Sequence, residues 1–321
     1  MIKTPFFTFL DPELAAQITA AAPAEFQVET YPADLPDAEK IPLVAAADFL
    51  ILFPGRLSAA VLRAAPHLKL IQLLSAGYEH MDLDLCAELG VPVANNGGTN
   101  AIDVAEHTLA LILGLYRRLT DQDGSIRKGH WDTVDSGRNT YTIHGKTAAL
   151  VGLGHIGRQV AQRLKVFGAD LLYVDAQPAP TEITAELALE RVDLQAALAR
   201  ADILSLHVPL LPQTRGLIGA AELAQMRSTA LLINTCRGPV VDEAALVTAL
   251  RHQQILGAGL DVFEREPLAS NHPLLTLPNA LLTPHSAGIT RDTWSRRGEF
   301  AFANLRRVLD GAEPLSQIGA S

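Results

Sequence analysis

The chain has 321 residues, 48% of them hydrophobic, so it is long enough to bury a large core and to form more than one domain. Its formal net charge of −9 offers no basic surface to nucleic acid or to anionic lipid. The residues before Asp11 include too few apolar side chains for a signal peptide, and no uncharged apolar run reaches membrane-spanning length, so we expect a soluble cytoplasmic protein without nucleic-acid or membrane partners.

Short β-rich runs alternate with segments of helical periodicity along the whole chain, which predicts parallel sheets joined by crossover helices. In the first hundred residues two helices begin at plausible capping residues, Asp11 and Ser58. The predicted strands there are residues 6–10, 26–30, 48–53, 68–74 and 91–95, and the two helices are residues 11–22 and 57–65.

A long helix is predicted over residues 100–119, where apolar side chains fall mostly on one face. Those side chains are Ala105, Leu109, Ile112 and Leu115. We expect this helix to join two domains.

The second half of the chain repeats the alternation and predicts a second doubly wound sheet. Its predicted strands are residues 147–152, 170–175, 202–207, 230–235, 257–262 and 280–284. Residues 291–311 return to a helical pattern, which we expect to pack against the first domain. The predicted boundaries are therefore 1–100 with 289–321 for the first domain and 101–288 for an inserted second domain.

Three glycines after the strand at 147–152 form the pattern G-x-G-x-x-G, namely Gly152, Gly154 and Gly157. In a βαβ nucleotide fold they make the tight turn, admit the pyrophosphate to the main chain, and let helix and strand pack closely. The pattern alone is weak, because chance or a purely structural turn also produces it. Here a strand precedes it, and a helix follows with Val160, Leu164 and Phe167 on one face.

An acidic residue ends the next predicted strand. Asp175 follows the third glycine at close to the spacing of about 20 residues that is expected of an acid binding the adenosine ribose. Ala176 and Gln177 provide no cation for a 2′-phosphate, so the pattern favours NAD over NADP. The alternative is an ordinary turn residue at a strand end, where aspartate is common.

Three later segments also lie at predicted strand ends, where open α/β sheets bind ligands. They are INTCRGPVVDEAAL, GLDVFEREPL and LLTPHSAG. Together with VGLGHIG, and with LLSAGYEHMDL and NAIDVAEHTLALIL in the first half, they resemble the D-isomer-specific 2-hydroxyacid dehydrogenases over nearly the whole chain. The resemblance implies a flavodoxin-like substrate domain with an inserted Rossmann NAD-binding domain, both doubly wound parallel α/β sheets. It also implies an active site in the cleft between them.

The family's catalytic arginine, glutamate and histidine match Arg237, Glu266 and His285. Reduction of a 2-keto acid needs a proton donor for the carbonyl oxygen and a group that holds the carboxylate. Histidine suits the first task and the guanidinium fork suits the second, while Glu266 would orient His285 and raise its pKa.

Each of the three residues has a plain structural alternative. His285 could be a strand-end histidine, Arg237 an ion-pair partner and Glu266 a solvated loop acid. Glu264 could be mistaken for Glu266, but Glu266 stands next to Pro267 as in the family motif. We reject Cys236 as a nucleophile because the family uses this position for main-chain contacts near the nicotinamide.

The resemblance implies further cofactor contacts in the second domain. Asp261 matches a contact to the nicotinamide carboxamide, Thr108 one near the nicotinamide phosphate, and His155 and Ile156 lie in the pyrophosphate loop. The remaining implied contacts are His207 to Thr214 on the adenine side, with Thr235, Cys236 and Gly288 near the nicotinamide.

In the first domain, the loop SAGYEH resembles the family's loop that receives the substrate carboxylate on main-chain N–H groups, which makes Ala76 and Gly77 the expected donors. A plain glycine turn is the alternative. The substrate side chain would be selected by residues 78–81 and by Trp294, Arg296 and Arg297, whose orientations the sequence does not supply.

No metal is expected, because the two cysteines, Cys86 and Cys236, and the ten histidines fit no metal-binding spacing. The resulting hypothesis is an NAD-dependent enzyme that interconverts a 2-keto acid and a D-2-hydroxy acid, and the family implies a homodimer. The alternatives are a non-catalytic NADH-sensing regulator of the same fold and a formate or phosphite dehydrogenase. The chain is also shorter than the long phosphoglycerate dehydrogenases, which carry an extra C-terminal regulatory domain.

Overall fold

The computed structural model describes residues 1–131 and 133–319. The chain divides into two compact units. The first consists of Met1–Asn100 and the segment from Ile289 onward, and the second of Ala101–Gly288.

The first unit contains a sheet in the order β13-β5-β4-β3-β1-β2, in which every described pair is parallel except β13 with β5. Without β13 this is the flavodoxin-like order. Its strands are β1 (Ile2–Thr8), β2 (Phe26–Pro32), β3 (Phe49–Phe53), β4 (Leu70–Leu73), β5 (Val93–Ala94) and β13 (Gln317–Ile318).

Helices cover both faces of this sheet, so its central strand β3 is buried on both sides and is wholly apolar. The helices are α1 (Pro12–Thr19), α2 (Asp37–Val44), α3 (Ala59–Arg63), α4 (Leu83–Glu88) and α12 (Thr293–Leu309). Asp11 and Ser58 cap α1 and α3 as predicted, because each side chain accepts a main-chain N–H of the first turn. Helix α12 packs on α1, where a Cβ atom on Gly298 would lie 2.3 Å from the main-chain oxygen of Ile18.

The second unit contains an all-parallel sheet in the order β12-β11-β10-β9-β6-β7-β8, which is the Rossmann order with one added strand. Its strands are β6 (Thr147–Val151), β7 (Asp170–Val174), β8 (Leu189–Arg191), β9 (Ile203–Leu206), β10 (Leu231–Asn234), β11 (Gly257–Leu260) and β12 (Ala280–Leu282). The strand order reverses between β6 and β9, and open α/β sheets bind ligands at such a point.

The helices of the second unit bury two apolar layers against the two faces of its sheet. They are α5 (Ala101–Tyr116), α6 (Leu119–Arg127), α7 (His155–Val166), α8 (Thr181–Leu187), α9 (Leu194–Arg200), α10 (Ala220–Leu223) and α11 (Glu243–Arg251). The predicted α/β class with two doubly wound sheets is confirmed.

Some boundaries differ from the prediction. Strand β1 ends at Thr8, where its partner β3 ends at Phe53, so Phe9 leaves the sheet and is 64% exposed. The sequence pattern groups Phe167 with Val160 and Leu164 on one face of α7. Those two side chains are buried, but Phe167 is the C-cap of the helix and is 44% exposed. The chain leaves the helix at this point because Gly168 has a φ of 78°.

Within the described part of the chain, no helix is both long enough and apolar enough to cross a bilayer.

Candidate active site

The glycine-rich turn leads from β6 into α7 at the reversal of strand order. Gly152 has a φ of 96°, and a Cβ atom there would lie 2.5 Å from the main-chain oxygen of His207. A Cβ atom on Gly157 would lie 2.2 Å from the Gly152 oxygen. On Gly154, by contrast, a Cβ atom would meet nothing within 4 Å. Gly152 and Gly157 therefore permit close packing inside the protein, and Gly154 presents bare main chain to open space.

Helix α7 begins at this open glycine. Gly154 is its N-cap, and no side chain in the described part of the chain caps the first turn with a hydrogen bond. The first N–H groups of a helix and its dipole attract anions. The turn and helix together can hold a diphosphate.

Asp175 follows β7 and is partly buried. Its Oδ2 accepts the N–H of Leu153 at 2.8 Å, and its Oδ1 accepts the N–H of Gln177 at 3.2 Å. The first bond links the carboxylate to the glycine-rich turn. It places the acid beside the turn, as a ribose-binding acid requires.

His207 follows β9, across the reversal of strand order from the glycine-rich turn. Its Nε2 lies 2.9 Å from Ser205 Oγ, and its Nδ1 is buried with no partner among the described residues. Burial lowers the pKa of His207 to about 3, so the ring is neutral. Thr214 is used within its own loop, because its hydroxyl donates to the Pro209 oxygen at 2.6 Å and accepts the Leu211 N–H at 2.8 Å.

The end of β10 carries Thr235, Cys236 and Arg237 in succession. Thr235 Oγ1 lies 3.1 Å from Thr108 Oγ1 of α5, so these two predicted cofactor contacts are neighbours. The Cys236 thiol donates to Asn234 Oδ1 at 3.1 Å, and burial raises its pKa to about 11. A protonated, buried thiol is a poor nucleophile, which agrees with the rejection of Cys236 for that role.

Arg237 lies partly buried in a turn that Asn234 holds, since the Asn234 side-chain amide donates to the Arg237 oxygen at 3.0 Å. The next residue, Gly238, makes a close approach possible. A Cβ atom there would lie 2.0 Å from the carbonyl carbon and oxygen of Phe263. The arginine turn and the loop that bears Glu266 therefore pack main chain to main chain.

His285 and Glu266 form a close pair. His285 Nδ1 lies 2.6 Å from Glu266 Oε2, while Glu266 Oε1 accepts the Phe263 N–H at 3.0 Å. A carboxylate only accepts, so Nδ1 carries the proton of this bond and Nε2 points away from it. The side chain of His285 is half exposed, which leaves Nε2 open to a ligand.

The charges of this pair support one another. The hydrogen bond that His285 donates to Glu266 raises the pKa of His285, although burial and the nearby Arg237 cation oppose that change. Burial alone would raise the pKa of Glu266. The bonds from His285 and the Phe263 N–H, with the charges of His285 and Arg237, outweigh it and hold that pKa below its ordinary value.

Asp261 holds the loop that bears His285. It is 1% exposed, and its carboxylate accepts the Thr283 hydroxyl at 2.6 Å and the N–H groups of Ser286 and Ala287 at 2.9 Å. Its main-chain oxygen accepts the His285 N–H at 2.8 Å. His285 has a φ of 52°, which costs a non-glycine residue on the order of 1 kcal/mol. These bonds hold the histidine in that conformation.

Comparisons with known proteins identify the family of this chain. Residues 109–287 match the family model described as "D-isomer specific 2-hydroxyacid dehydrogenase, NAD binding domain". The chain belongs to the D-isomer specific 2-hydroxyacid dehydrogenase family. A glyoxylate reductase of Thermofilum pendens is 43% identical over 270 residues, which cover 83% of this chain and 79% of that protein.

Two solved structures extend the similarity to almost the full chain. A protein of Thermus thermophilus is 35% identical, with a TM-score of 0.85 over 99% of this chain and 100% of that one. A D-isomer specific 2-hydroxyacid dehydrogenase of Lactobacillus delbrueckii, solved with NAD, is 27% identical, with a TM-score of 0.84 over 98% and 100% of the two chains. This member of the family is thus an NAD-dependent oxidoreductase that acts on CH–OH groups.

The second unit fits the cofactor of the family. The turn at Gly154 leaves open space above bare main chain, α7 begins without a side-chain cap, and Asp175 stays partly exposed beside both. These three features would hold the diphosphate and the adenosine ribose. The other predicted cofactor contacts follow the strands on the far side of the strand-order reversal: Thr235 and Cys236 come after β10, Asp261 after β11 and Gly288 after β12. Thr108 of α5 lies beside Thr235.

The loop after β4 in the first unit has the main chain of an anion site. Its carbonyl groups are used internally: Asn96 N–H donates to Ser75 O, Asn95 Nδ2 to Ala76 O, and Ser75 Oγ to Gly77 O. The N–H groups of Ala76 and Gly77 have no acceptor among residues 1–131 and 133–319. The carbonyl oxygens of this loop therefore already accept hydrogen bonds, whereas the N–H groups of Ala76 and Gly77 are available to a ligand, as a carboxylate-binding loop needs.

The three residues of α12 whose orientation the sequence left open differ in environment. Trp294 is 2% exposed and packs edge-on against Phe53 in the core of the first unit, so it acts in packing. Arg297 is buried with its guanidinium over the Trp294 ring at 4.8 Å. Arg296 donates to the Thr99 oxygen at 3.3 Å.

Sequence reasoning missed several residues that support the site. Thr283 donates to Asp261 and accepts from His107 Nε2 at 2.9 Å, so α5 is tied to the loop of His285. Glu243 accepts the Glu264 N–H at 3.1 Å and pairs with His272 Nε2 at 3.0 Å, which braces the loop of Glu266. The only signal for them was their position inside or beside the matched motifs. Among the described residues, no group of three or more histidine, cysteine or acidic side chains could hold a metal ion.

Proposed function

We propose that this dehydrogenase reduces a small 2-keto acid to the D-2-hydroxy acid with NADH, using His285 as the acid and base. The observation that carries the proposal is the bond of 2.6 Å between His285 Nδ1 and Glu266 Oε2, because it fixes the ring with Nε2 free for the substrate. The exposed half of the His285 side chain makes Nε2 reachable.

In the proposed reaction the carbonyl carbon gains a hydride and the carbonyl oxygen gains a proton. Bound NADH would supply the hydride and be oxidised to NAD⁺. The proton comes from Nε2 of the His285 imidazolium, and neutral His285 takes it back when the hydroxy acid is oxidised. Glu266 favours the imidazolium, which raises the pKa of His285 and extends reduction to higher pH.

Arg237 is proposed to hold the substrate carboxylate. A guanidinium binds a carboxylate with two parallel N–H bonds, so it orients the keto group as well as attracting the charge. The N–H groups of Ala76 and Gly77 are proposed to bind the same carboxylate, since their own loop leaves them without acceptors in the described chain. We therefore propose that the first unit is the substrate domain and that the second unit is the NAD-binding domain.

The proposed cofactor contacts follow the two ends of the dinucleotide. Gly152, Gly154, His155, Ile156 and Gly157 would surround the diphosphate, and Asp175 would accept the ribose hydroxyls. His207 to Thr214 would line the adenine side. The nicotinamide end would lie near Thr108, Thr235, Cys236, Asp261 and Gly288. Because Asp175 is negative where NADP has its 2′-phosphate, NADH should be the better cofactor.

Glyoxylate is the first substrate to test, because the relative at 43% identity is a glyoxylate reductase. The assay follows NADH oxidation with glyoxylate, hydroxypyruvate, pyruvate and bulkier keto acids. His285→Gln should lower kcat by about 10²-fold or more, since general acid catalysis contributes that much. His67→Gln, an exposed histidine of the first unit, is the control and should leave kcat unchanged. If no keto acid supports NADH oxidation, the proposed reaction is wrong and an NADH-binding regulator is the better hypothesis.

A homodimer is part of the proposal, and the surface of α6 supports it. Helix α6 buries none of its residues. Four large apolar side chains in or shortly after it are more than half exposed, namely Leu119, Ile126, Trp131 and Val134. Several exposed apolar side chains within one short segment support an interaction surface here, and Ile126 and Trp131 line the same surface cavity. Light scattering should find two copies in wild type and one in Trp131→Glu, while Phe9→Glu, at an exposed phenylalanine of the first unit, should stay dimeric. A cytoplasmic location remains proposed with it and is tested by cell fractionation.

A further inference from the structure

An arginine reaches the ribose-binding turn from the neighbouring strand. Strand β8 pairs with β7 in parallel, with Arg191 opposite Tyr173, two residues before Asp175. The Arg191 Nη2 group donates to the main-chain oxygen of Asp175 at 3.0 Å and to that of Ala176 at 3.3 Å. A cation therefore lies at the turn where the adjacent sequence, Ala176 and Gln177, provides none.

This cation has donors to spare. Both hydrogen bonds use Nη2 alone, and within residues 1–131 and 133–319 no carboxylate lies within ion-pair distance of the Arg191 guanidinium. The acid next to it in sequence, Glu190, is occupied by Arg200, with bonds of 2.7 and 2.6 Å. Arg191 is exposed, so its remaining N–H groups face solvent at the edge of the ribose-binding turn.

We infer that Arg191 is a ready anchor for the 2′-phosphate of NADP, and that the Asp175 carboxylate alone keeps it from being used. This inference rests on the proposed role of Asp175 as the ribose-binding acid. A guanidinium binds phosphate oxygens through several N–H groups, and the two carbonyl bonds hold this one in place beforehand. Asp175 excludes the phosphate because two negative groups would meet at close range.

The inference predicts an outcome that a merely structural arginine would not produce. If Arg191 only holds the turn, removing the Asp175 charge admits the phosphate equally well with or without the guanidinium. If Arg191 is an anchor, the tighter binding of the phosphate after removal of the Asp175 charge requires the guanidinium. Asp175→Ser removes the charge and leaves room, and Arg191→Met removes the cation while keeping an unbranched side chain.

The experiment measures binding by calorimetry to wild type, Asp175→Ser, Arg191→Met and the double variant. The probes are 2′,5′-ADP, which carries the 2′-phosphate, and 5′-AMP, which lacks it. Asp175→Ser should bind 2′,5′-ADP about tenfold tighter than wild type or better, and the double variant should lose that gain. Binding of 5′-AMP should differ little between Asp175→Ser and the double variant. The gain in Asp175→Ser should shrink with added salt.

Kinetics provide the second readout. The ratio of kcat/KM for NADPH to that for NADH should rise at least tenfold in Asp175→Ser and return toward the wild-type ratio in the double variant. A gain of equal size in both variants would overturn the role of Arg191 while leaving the proposed ribose site intact. If Asp175→Ser changes the binding of neither nucleotide nor of NADH, the proposed ribose site itself is wrong, and this inference is overturned with it.

Discussion

Two aspartates each follow a strand of the second sheet, and the protein uses them in opposite ways. Asp175 after β7 is partly exposed and accepts two main-chain N–H groups. Asp261 after β11 is 1% exposed and accepts a hydroxyl and two N–H groups, all from the loop of His285. A carboxylate at a strand end can thus stay partly open to solvent or be used wholly to hold a loop, and in these two cases the more buried acid has more internal donors.

The comparison extends to the regions around the two acids. The proposed nucleotide end, comprising residues 152–157 and Asp175, is formed mostly by main chain and glycine. The proposed catalytic end, comprising Arg237, Asp261, Glu266 and His285, is formed by ionisable side chains whose interactions change the pKa of Glu266 and of His285. Substitutions at the nucleotide end should therefore change binding, whereas those at the catalytic end should change the chemistry, its pH dependence and local stability.

The largest effect is expected when Asp261 is replaced by asparagine, and the same replacement at Asp175 in a separate variant is the comparison. Asp261→Asn places an NH₂ group where the carboxylate accepts N–H and O–H donors, and each buried group left unpaired costs about 1–3 kcal/mol. We expect the free energy of unfolding to fall by about 2–4 kcal/mol and kcat to fall at least tenfold. Asp175→Asn, which can turn toward water, should cost less than about 1 kcal/mol. Urea denaturation of both variants measures this, and equal losses would remove the distinction.

The second prediction concerns Arg237→Lys, which keeps the charge but loses the fork. We expect kcat/KM for the keto acid to fall about 10- to 100-fold, with the affinity for NADH within a factor of about two of wild type. Arg265→Lys, at an exposed arginine of the Glu266 loop, is the matched control and should leave both constants unchanged. Unchanged keto-acid kinetics in Arg237→Lys would place the carboxylate site elsewhere.

The third prediction concerns the pH dependence that Glu266 confers. Its carboxylate raises the pKa of His285, so reduction persists as pH rises until the imidazolium loses its proton. Glu266→Gln should lower that pKa, so that reduction declines at lower pH and oxidation extends further toward acid, and each unit of displacement corresponds to about 1.4 kcal/mol. The measurement is kcat/KM against pH in both directions.

Glu264→Gln is the control for this profile, because Glu264 is an exposed acid two positions away. Its profile should match that of wild type. If the Glu266→Gln profile also matches after scaling, then Glu266 does not tune His285.

The smallest effect is expected at the nucleotide end. Gly154→Ala adds a methyl group that meets nothing within 4 Å, at a φ of −72° that alanine adopts freely, so the free energy of unfolding should stay within about 1 kcal/mol of wild type. Affinity for NADH should nevertheless fall several-fold, because the methyl group occupies the approach to the main chain. Gly124→Ala in α6, also open, should leave NADH affinity unchanged. Unaltered NADH binding in Gly154→Ala would argue against a diphosphate at this turn.

The sequence alone was sufficient for the fold class, and it named the residues of the candidate site that the proposal uses. Alternating strands and helices identified both doubly wound sheets, because burial on two faces leaves an apolar run that local composition reveals. The glycine spacing marked the turn after β6, and the motif order pointed to Arg237, Glu266 and His285. Their proposed roles await the experiments above.

Only the tertiary structure decided how those residues are supported. The sequence did not predict the short strand β8. It therefore also did not predict that Arg191 places a cation beside Asp175, sixteen positions away in the chain. The bonds of Thr283, Ser286 and Ala287 to Asp261 were equally hidden, since they join residues more than twenty positions apart. Local composition encodes which segments become strands and helices, but strand register and loop packing bring distant side chains together, and these arise only when the chain is folded.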